Sequence, residues 1–303
     1  MTGRVLVHGG VDSRSSPEVI EGLRKAASAG LSALGEHGAV EAAETAVRLL
    51  EADPLFNAGI GSVLNEDGDV ETDAAIVDGT GGRFAGVAAL TDIRYPVSVA
   101  RALLRTSPGP VLLAGTGARR FAAALQAPTG DLRTPEQLSS WREAKRGRDR
   151  AVSPFTGRVA AASDTVGAIV VDQRGRIAAA SSTGGVQMKM PGRVGDSAIF
   201  GAGIYADADR AVLCSGLGEA AIELSLALRV ALRCEVTGDP DDAVSWAVAR
   251  LSEREAIGGV LLCDLRSDRV AVAHNASSFP VIEAAEDASR VVAPASGPGG
   301  ADG

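Results

Sequence analysis

Thr165 is the residue of this sequence best placed for covalent chemistry. It stands in Ser163-Asp164-Thr165-Val166-Gly167-Ala168-Ile169-Val170-Val171-Asp172, where a polar stretch ends at Asp164 and an apolar run begins with the threonine itself. A threonine hydroxyl is a weak nucleophile unless a base lies beside it. A free α-amino group on the same residue is such a base, because its reference pKa of roughly 7.7–8.0 leaves part of it neutral near pH 7. Thr165 is internal, so that amine exists only if the Asp164–Thr165 bond is cut. Taken alone, Thr165 reads more simply as a β-branched residue opening a buried strand. What changes the weighing is the polar sequence downstream. Thr183-Gly184-Gly185 follows, then Pro191-Gly192-Arg193-Val194-Gly195-Asp196-Ser197, then Cys214-Ser215-Gly216-Leu217-Gly218-Glu219.

Together, D-T-V-G-A, S-T-G-G and P-G-R-V-G-D-S resemble the plant-type asparaginase/isoaspartyl peptidase family of N-terminal-nucleophile hydrolases, whose relatives include glycosylasparaginase. The similarity runs from His8-Gly9-Gly10 to about Asn275. It implies self-cleavage between Asp164 and Thr165, giving an α subunit of residues 1–164 and a β subunit of residues 165–303. Thr165 would then attack a side-chain amide or isopeptide carbonyl, and water would release the acyl-enzyme. The resemblance assigns the Ser215 hydroxyl and the Gly216 N–H to the oxyanion hole, and Thr183 to tuning the nucleophile. Asn57 matches a supporting asparagine. Arg193 and Asp196 match the pair that reads a substrate's α-carboxylate and α-ammonium, and Gly218 the carbonyl that helps hold the ammonium. Arginine suits the carboxylate through two-pronged hydrogen bonding. A sodium ion is implied on the backbone carbonyls of Leu50, Glu51, Asp53, Phe56, Ala58 and Ile60, with no cofactor for catalysis.

Two positions depart from the family pattern. Asp164 replaces the usual glycine, as in glycosylasparaginases and threonine aspartases, and leaves the substrate subgroup open. Ser215 replaces the usual threonine, keeping the hydroxyl with less rotamer restraint. Asp196 speaks against the threonine aspartases, which lack an acid there. The expected function is hydrolysis of L-asparagine, β-aspartyl dipeptides, or both. A glycosylasparaginase-like hydrolase and a non-processing binding relative are the alternatives. The expected assembly is a homodimer of processed αβ units.

Other chemistries are poorly supported. His8, His37 and His274 are far apart, with no H-E-x-x-H zinc pattern. The glycine-rich stretch 184–203 lacks the Gly-Lys-Ser/Thr of a phosphate loop.

The elements that must carry these residues follow from periodicity. Val5–Val7 reads as a strand ending at His8-Gly9-Gly10. Ser16-Pro17 begins a helix, Gly38 interrupts it, and a second helix covers Val40–Ala52. Strands are expected over Val70–Val77 and Phe84–Leu90, and helices over Val97–Arg105 and Gly117–Gln126. Residues 136–164 read as a mobile, exposed linker. Val166–Val171 and Arg176–Ser182 form a hairpin about Gln173-Arg174-Gly175. Ile199–Tyr205 and Ala211–Cys214 read as strands. Gly218 to about Val236 reads as one helix with Leu224, Leu228 and Leu232 on a face, and Pro240–Glu253 as another with Trp246 inward. Gly259–Leu265 and Val270–His274 make a final hairpin, with a frayed tail over 286–303. This pattern suggests α+β architecture in one folded domain, with helices outside packed sheets. The family resemblance implies a four-layer αββα sandwich.

Composition sets outer limits. Among 303 residues, 46% are hydrophobic and 22% charged, as in globular proteins. The net charge of −8 argues against nucleic-acid or membrane-surface partners, which need a basic face. No apolar stretch approaches a membrane span. No signal-peptide layout precedes Val5, and three scattered cysteines make no disulfide framework. A reducing cytoplasm is the expected location.

Overall fold

Strand alternation explains how the chain buries both faces of its sheets. In β1 (Arg4–His8), Val5 and Val7 face one apolar cluster while Leu6 faces another. β5 (Val166–Val171) divides likewise, with Val166, Ala168 and Val170 on one side and Ile169 and Val171 on the other. β6 (Ile177–Thr183) pairs with β5 and repeats the division. A strand apolar on alternate faces and buried on both requires a layer on each side.

The computed structural model describes residues 2–11, 16–106, 108–148, 165–286 and 288–292. Their remaining strands are β2 (Thr72–Asp78), β3 (Arg83–Leu90), β4 (Leu112–Ala114), β7 (Ile204–Ala206), β8 (Arg210–Gly216), β9 (Gly258–Asp264), β10 (Arg269–His274), β11 (Val281–Ala285) and β12 (Ala288–Val291). One sheet has the order β12-β11-β1-β5-β6-β2-β3-β4 and the other β10-β9-β8-β7. Pairing is antiparallel except between β3 and β4. The architecture is α+β.

Helices α1 (Pro17–His37), α2 (Ala39–Glu51), α3 (Pro96–Leu104) and α4 (Gly115–Ala124) share an alanine- and valine-rich cluster with the larger sheet. Helices α6 (Gly218–Leu224), α7 (Leu226–Thr237) and α8 (Pro240–Ser252) pack on Val212, Val260, Leu262 and Ala271 of the smaller sheet. A further cluster joins the two sheets through Leu6, Ile169, Val171, Ile177, Leu213 and Leu261. With few aromatics, small side chains let these layers approach closely, as where Gly30 of α1 lies against Val5 and Ala46. Among the described residues no helix is long and apolar enough to cross a membrane.

Several expectations need correction. Residues 136–148, expected as linker, lie in α5 (Pro135–Arg148). Its sequence is polar, and tertiary contacts hold it. Trp141 packs on Leu64, Val70 and Leu132, and its indole N–H donates to the Asn65 carbonyl at 2.8 Å. The remainder of that linker, 149–164, lies outside the described residues, as does most of the 286–303 tail. The expected helix 218–236 breaks at Ser225, whose φ of 49° is left-handed. The break turns the second piece, so Leu226, Ala227, Val230 and Cys234 are buried while Leu232 is 47% exposed. Trp246 is only partly inward and carries Arg229 and Arg233 against its ring. Of Ile199–Tyr205, only its end joins a strand, because residues 201–203 form a turn in which Gly201, at φ 86°, donates its N–H to the Ile204 carbonyl at 2.7 Å. Strands β4, β11 and β12 were not foreseen.

Candidate active site

The hairpin β5–β6 places Thr165 at the mouth of the larger sheet. Thr165 is fully buried. Val166 pairs with Ser182, and continuing that register by one residue sets Thr183 across from Thr165. On the other side His8 of β1 pairs with Gly167. The segment after β1 then reaches Ser215, whose Oγ accepts the Val11 N–H at 3.1 Å and the Thr165 N–H at 3.3 Å. Ser215 comes from the end of β8, so both sheets meet at the threonine. Beside Ser215, Gly216 has φ 134°, and a Cβ there would collide with the Ile257 carbonyl. Only glycine lets β8 and β9 close at this point.

The Thr165 hydroxyl lies 3.3 Å from the Ser197 hydroxyl. Ser197 follows Asp196 in the 3₁₀ turn, so this contact joins the nucleophile candidate to the expected ligand-reading residues. Asp196 is buried against Gly218 and Gly203; a Cβ on Gly218 would stand 3.0 Å from both Asp196 Oδ1 and Arg193 Nη2. Arg193, Asp196 and Gly218 therefore converge. Arg193 is forked onto Glu219, Nε to Oε1 at 2.9 Å and Nη2 to Oε2 at 2.8 Å.

Asn57 braces the site from behind. Its Nδ2 donates to the Gly185 carbonyl at 2.8 Å, and its Oδ1 accepts the Val63 N–H at 2.9 Å. Thr183 Oγ1 accepts the Gly185 N–H at 3.0 Å. Asp164 lies outside the described residues.

A family model described as Asparaginase matches residues 2–292. The rat isoaspartyl peptidase/L-asparaginase is 41% identical over 280 residues, covering 88% of this chain and 82% of its own length. The plant-type L-asparaginase of Pyrococcus furiosus is 40% identical over 263 residues, covering 82% and 85%. The chain belongs to the plant-type asparaginase/isoaspartyl peptidase family. The human isoaspartyl peptidase/L-asparaginase, 37% identical over 277 residues, covers 88% of each chain.

Within this family member the site's charges are shaped by burial. Loss of solvent pushes the Asp196 carboxyl up to about 7, against the attraction of Arg193. Its Oδ2 has no hydrogen-bond partner among the described residues, so the buried acid has acceptor capacity to spare. Burial also drives the His8 imidazole down to about 3. His8 is thus neutral at working pH. Its ring lies beside the Thr165 main chain without a well-aligned hydrogen bond and packs 5.2 Å from the Phe279 ring.

The loop expected to hold sodium has carbonyls already in use. Those of Leu50, Asp53, Phe56 and Ala58 accept N–H groups of Asp53, Phe56, Ala58 and Gly61. A carbonyl has two lone pairs, so this set fits an oxygen-seeking ion that takes the second. The Glu51 carbonyl lies against Gly59, and its carboxyl caps α3 by accepting the Val97 N–H at 3.0 Å. Ile60 lies in the following 3₁₀ turn.

Sequence reasoning gave no role to Ser197, Glu219 or His8, although all three stand inside the motifs that carried the resemblance. Lys189 and Asp73 went unnoticed. Their signal was a charged residue in a segment otherwise built for burial, which one sequence does not separate from an exposed charge.

Proposed function

We propose that this chain is a self-processing amidohydrolase that hydrolyses the side-chain amide of L-asparagine and the isopeptide bond of β-aspartyl dipeptides, with Thr165 as nucleophile. The observation that carries this reading is the meeting of Thr165 with Ser215 and Ser197, the latter chained to Asp196 and its neighbour Arg193. The relatives named isoaspartyl peptidase/L-asparaginase support the same pair of substrates.

In the first step the Thr165 hydroxyl attacks the Asp164 carbonyl. The Asp164–Thr165 C–N bond breaks, the nitrogen takes up a proton, and an ester remains on the Thr165 oxygen. Water hydrolyses the ester and leaves a free Thr165 amine. That amine then accepts the hydroxyl proton as the oxygen attacks the substrate amide. The leaving ammonia or amino acid takes a proton, and water cleaves the acyl ester to release aspartate. Ser215 Oγ, beside the Thr165 nitrogen, and the Gly216 N–H serve the oxyanion. Donors placed for that charge are typically worth about 10²–10³ in rate each. Arg193 takes the substrate α-carboxylate, for which it must share its fork with Glu219. Asp196 and the Gly218 carbonyl take the α-ammonium.

We further propose that the three apolar clusters correspond to a four-layer αββα sandwich, and that the mature protein is a cytoplasmic homodimer of αβ units. The loop from Leu50 to Ile60 would hold sodium as a structural ion that closes the loop behind Asn57. Mass spectrometry of purified protein tests the central claim. Processing yields chains of residues 1–164 and 165–303, and the Thr165→Ala variant stays whole. A hydrolytically active but unbroken chain refutes it. Release of ammonia or amino acid from asparagine, β-aspartyl dipeptides and glycosylated asparagine ranks the substrates.

A further inference from the structure

The segment between β6 and the 3₁₀ turn at Asp196 contains no helix or strand, yet it carries the arginine on which substrate reading depends. Its shape is held by polar contacts to the start of β2. The Glu71 carboxylate accepts the Gly192 N–H at 3.0 Å. The Asp73 carboxylate accepts the Gly195 N–H at 2.8 Å and the Ala89 N–H at 2.8 Å. Arg193 lies between these two fixed points.

Lys189 is the unexpected member. It is 4% exposed, and its Nζ donates to the Glu71 carbonyl at 2.8 Å. An ammonium has three N–H donors and is costly to bury without charge compensation. A methionine would fill similar space without that cost, so packing does not account for the charge. The surroundings do. A Cβ on Gly185 would stand 3.1 Å from Lys189 Nζ and 3.2 Å from Arg193 Nη1. Two cations thus flank one backbone point in the turn that follows Thr183. Asp73 attracts both of them, and they repel each other.

We propose that Lys189 is a positioning residue for the carboxylate-reading corner of the site. Its ammonium ties the segment to β2, orients the Arg193 guanidinium away from itself, and places a second positive charge behind it. The corner therefore selects substrates with a free α-carboxylate. This rests on the amidohydrolase reading above, and it adds a determinant outside the motif that carries Arg193 and Asp196.

The test compares asparagine with 3-aminopropanamide, which is asparagine without its α-carboxylate. Processed wild type, Lys189→Met and Lys189→Arg are assayed on both amides, and L-aspartate binding is measured by calorimetry. A full charge near a carboxylate at the effective dielectric of a protein is worth about tenfold or more in affinity. Lys189→Met is therefore expected to raise KM for asparagine about tenfold or more, with kcat within about threefold. It should weaken aspartate binding by a similar factor and leave 3-aminopropanamide unaffected. Lys189→Arg should recover most of the loss. An unchanged preference between the two amides in Lys189→Met overturns the proposal. So does a fall in kcat on both amides together without rescue by Lys189→Arg, which marks a structural role. Lys189→Gln replaces Lys189→Met if the latter does not fold, and failure of both to fold also overturns it. Absence of wild-type turnover on asparagine and β-aspartyl dipeptides refutes the amidohydrolase reading instead.

Discussion

With Asp196 as the proposed partner of the substrate α-ammonium, lowering the pH should cost this protein its grip on amino-acid substrates well above the ordinary carboxylate range, because the acid must be ionised to make that pair. Burial raises that carboxyl from 3.8 to about 7. At about 1.36 kcal/mol per unit, ionising Asp196 in the empty site costs about 4 kcal/mol more than in water. At pH 6 about a tenth of the molecules carry the ionised acid, and at pH 5 about a hundredth. Apparent affinity falls by the competent fraction. The dissociation constant for L-aspartate should therefore rise about tenfold for each unit below pH 7 and level off above it. Direct binding by calorimetry is the suitable assay, since turnover by the proposed mechanism also needs the neutral Thr165 amine. Succinamate, an asparagine lacking the ammonium, should lose this dependence, as should Asp196→Asn. The same shift sets a stability trend of opposite sense. The raised pKa means that the folded state retains a proton which the unfolded chain has released. The contribution of Asp196 is thus most favourable below pH 3.8 and is lost as pH climbs to about 7. Asp196→Asn should consequently melt higher than wild type at pH 7.5 while binding aspartate far more weakly. A flat wild-type binding profile between pH 5 and 7 would refute the argument.

Other perturbations have separate readouts. Ser215→Ala should slow turnover about 10²–10³-fold with small change in KM, whereas Ser215→Thr should keep or improve the rate; steady-state kinetics decides. Arg210 and Asp264 form a buried ion pair at 2.8 Å, so Arg210→Ala should cost about 3–5 kcal/mol in denaturant unfolding by stranding the carboxylate. Gly61→Ala would drive a methyl into the Phe56 carbonyl, and a fall in melting temperature with loss of soluble yield is expected.

The strands that carry the chemistry were legible because their signal is local. Val166–Val171 is β-branched and bounded by Asp164 and by the Gln173-Arg174-Gly175 turn, so β5 and β6 fell close to their observed limits. Several residues expected to share a site lie together: Thr165 with Ser215, and Arg193 with Asp196 and Gly218. α5 was missed because its helix depends on Trp141 meeting Leu64 and Val70, a contact distant in sequence. The break at Ser225 was missed because Leu224, Leu228 and Leu232 keep helical spacing across it. What bends the chain there is the seating of Ala227 and Leu228 N–H groups on the Ala202 and Gly201 carbonyls.

The sequence alone determined which residue types stand at which separations: a threonine at the head of an apolar strand, an arginine and an acid three apart among glycines, a serine before Gly216. These are properties of order along the chain, and a resemblance can read them. Tertiary structure decided the charge states. Asp196 titrates near 7 and His8 near 3 because other segments exclude water from them. It also decided that Lys189 is buried beside Arg193, and that the Ser197 hydroxyl faces that of Thr165. Desolvation and proximity depend on what the rest of the chain packs around a group, and no local pattern encodes that.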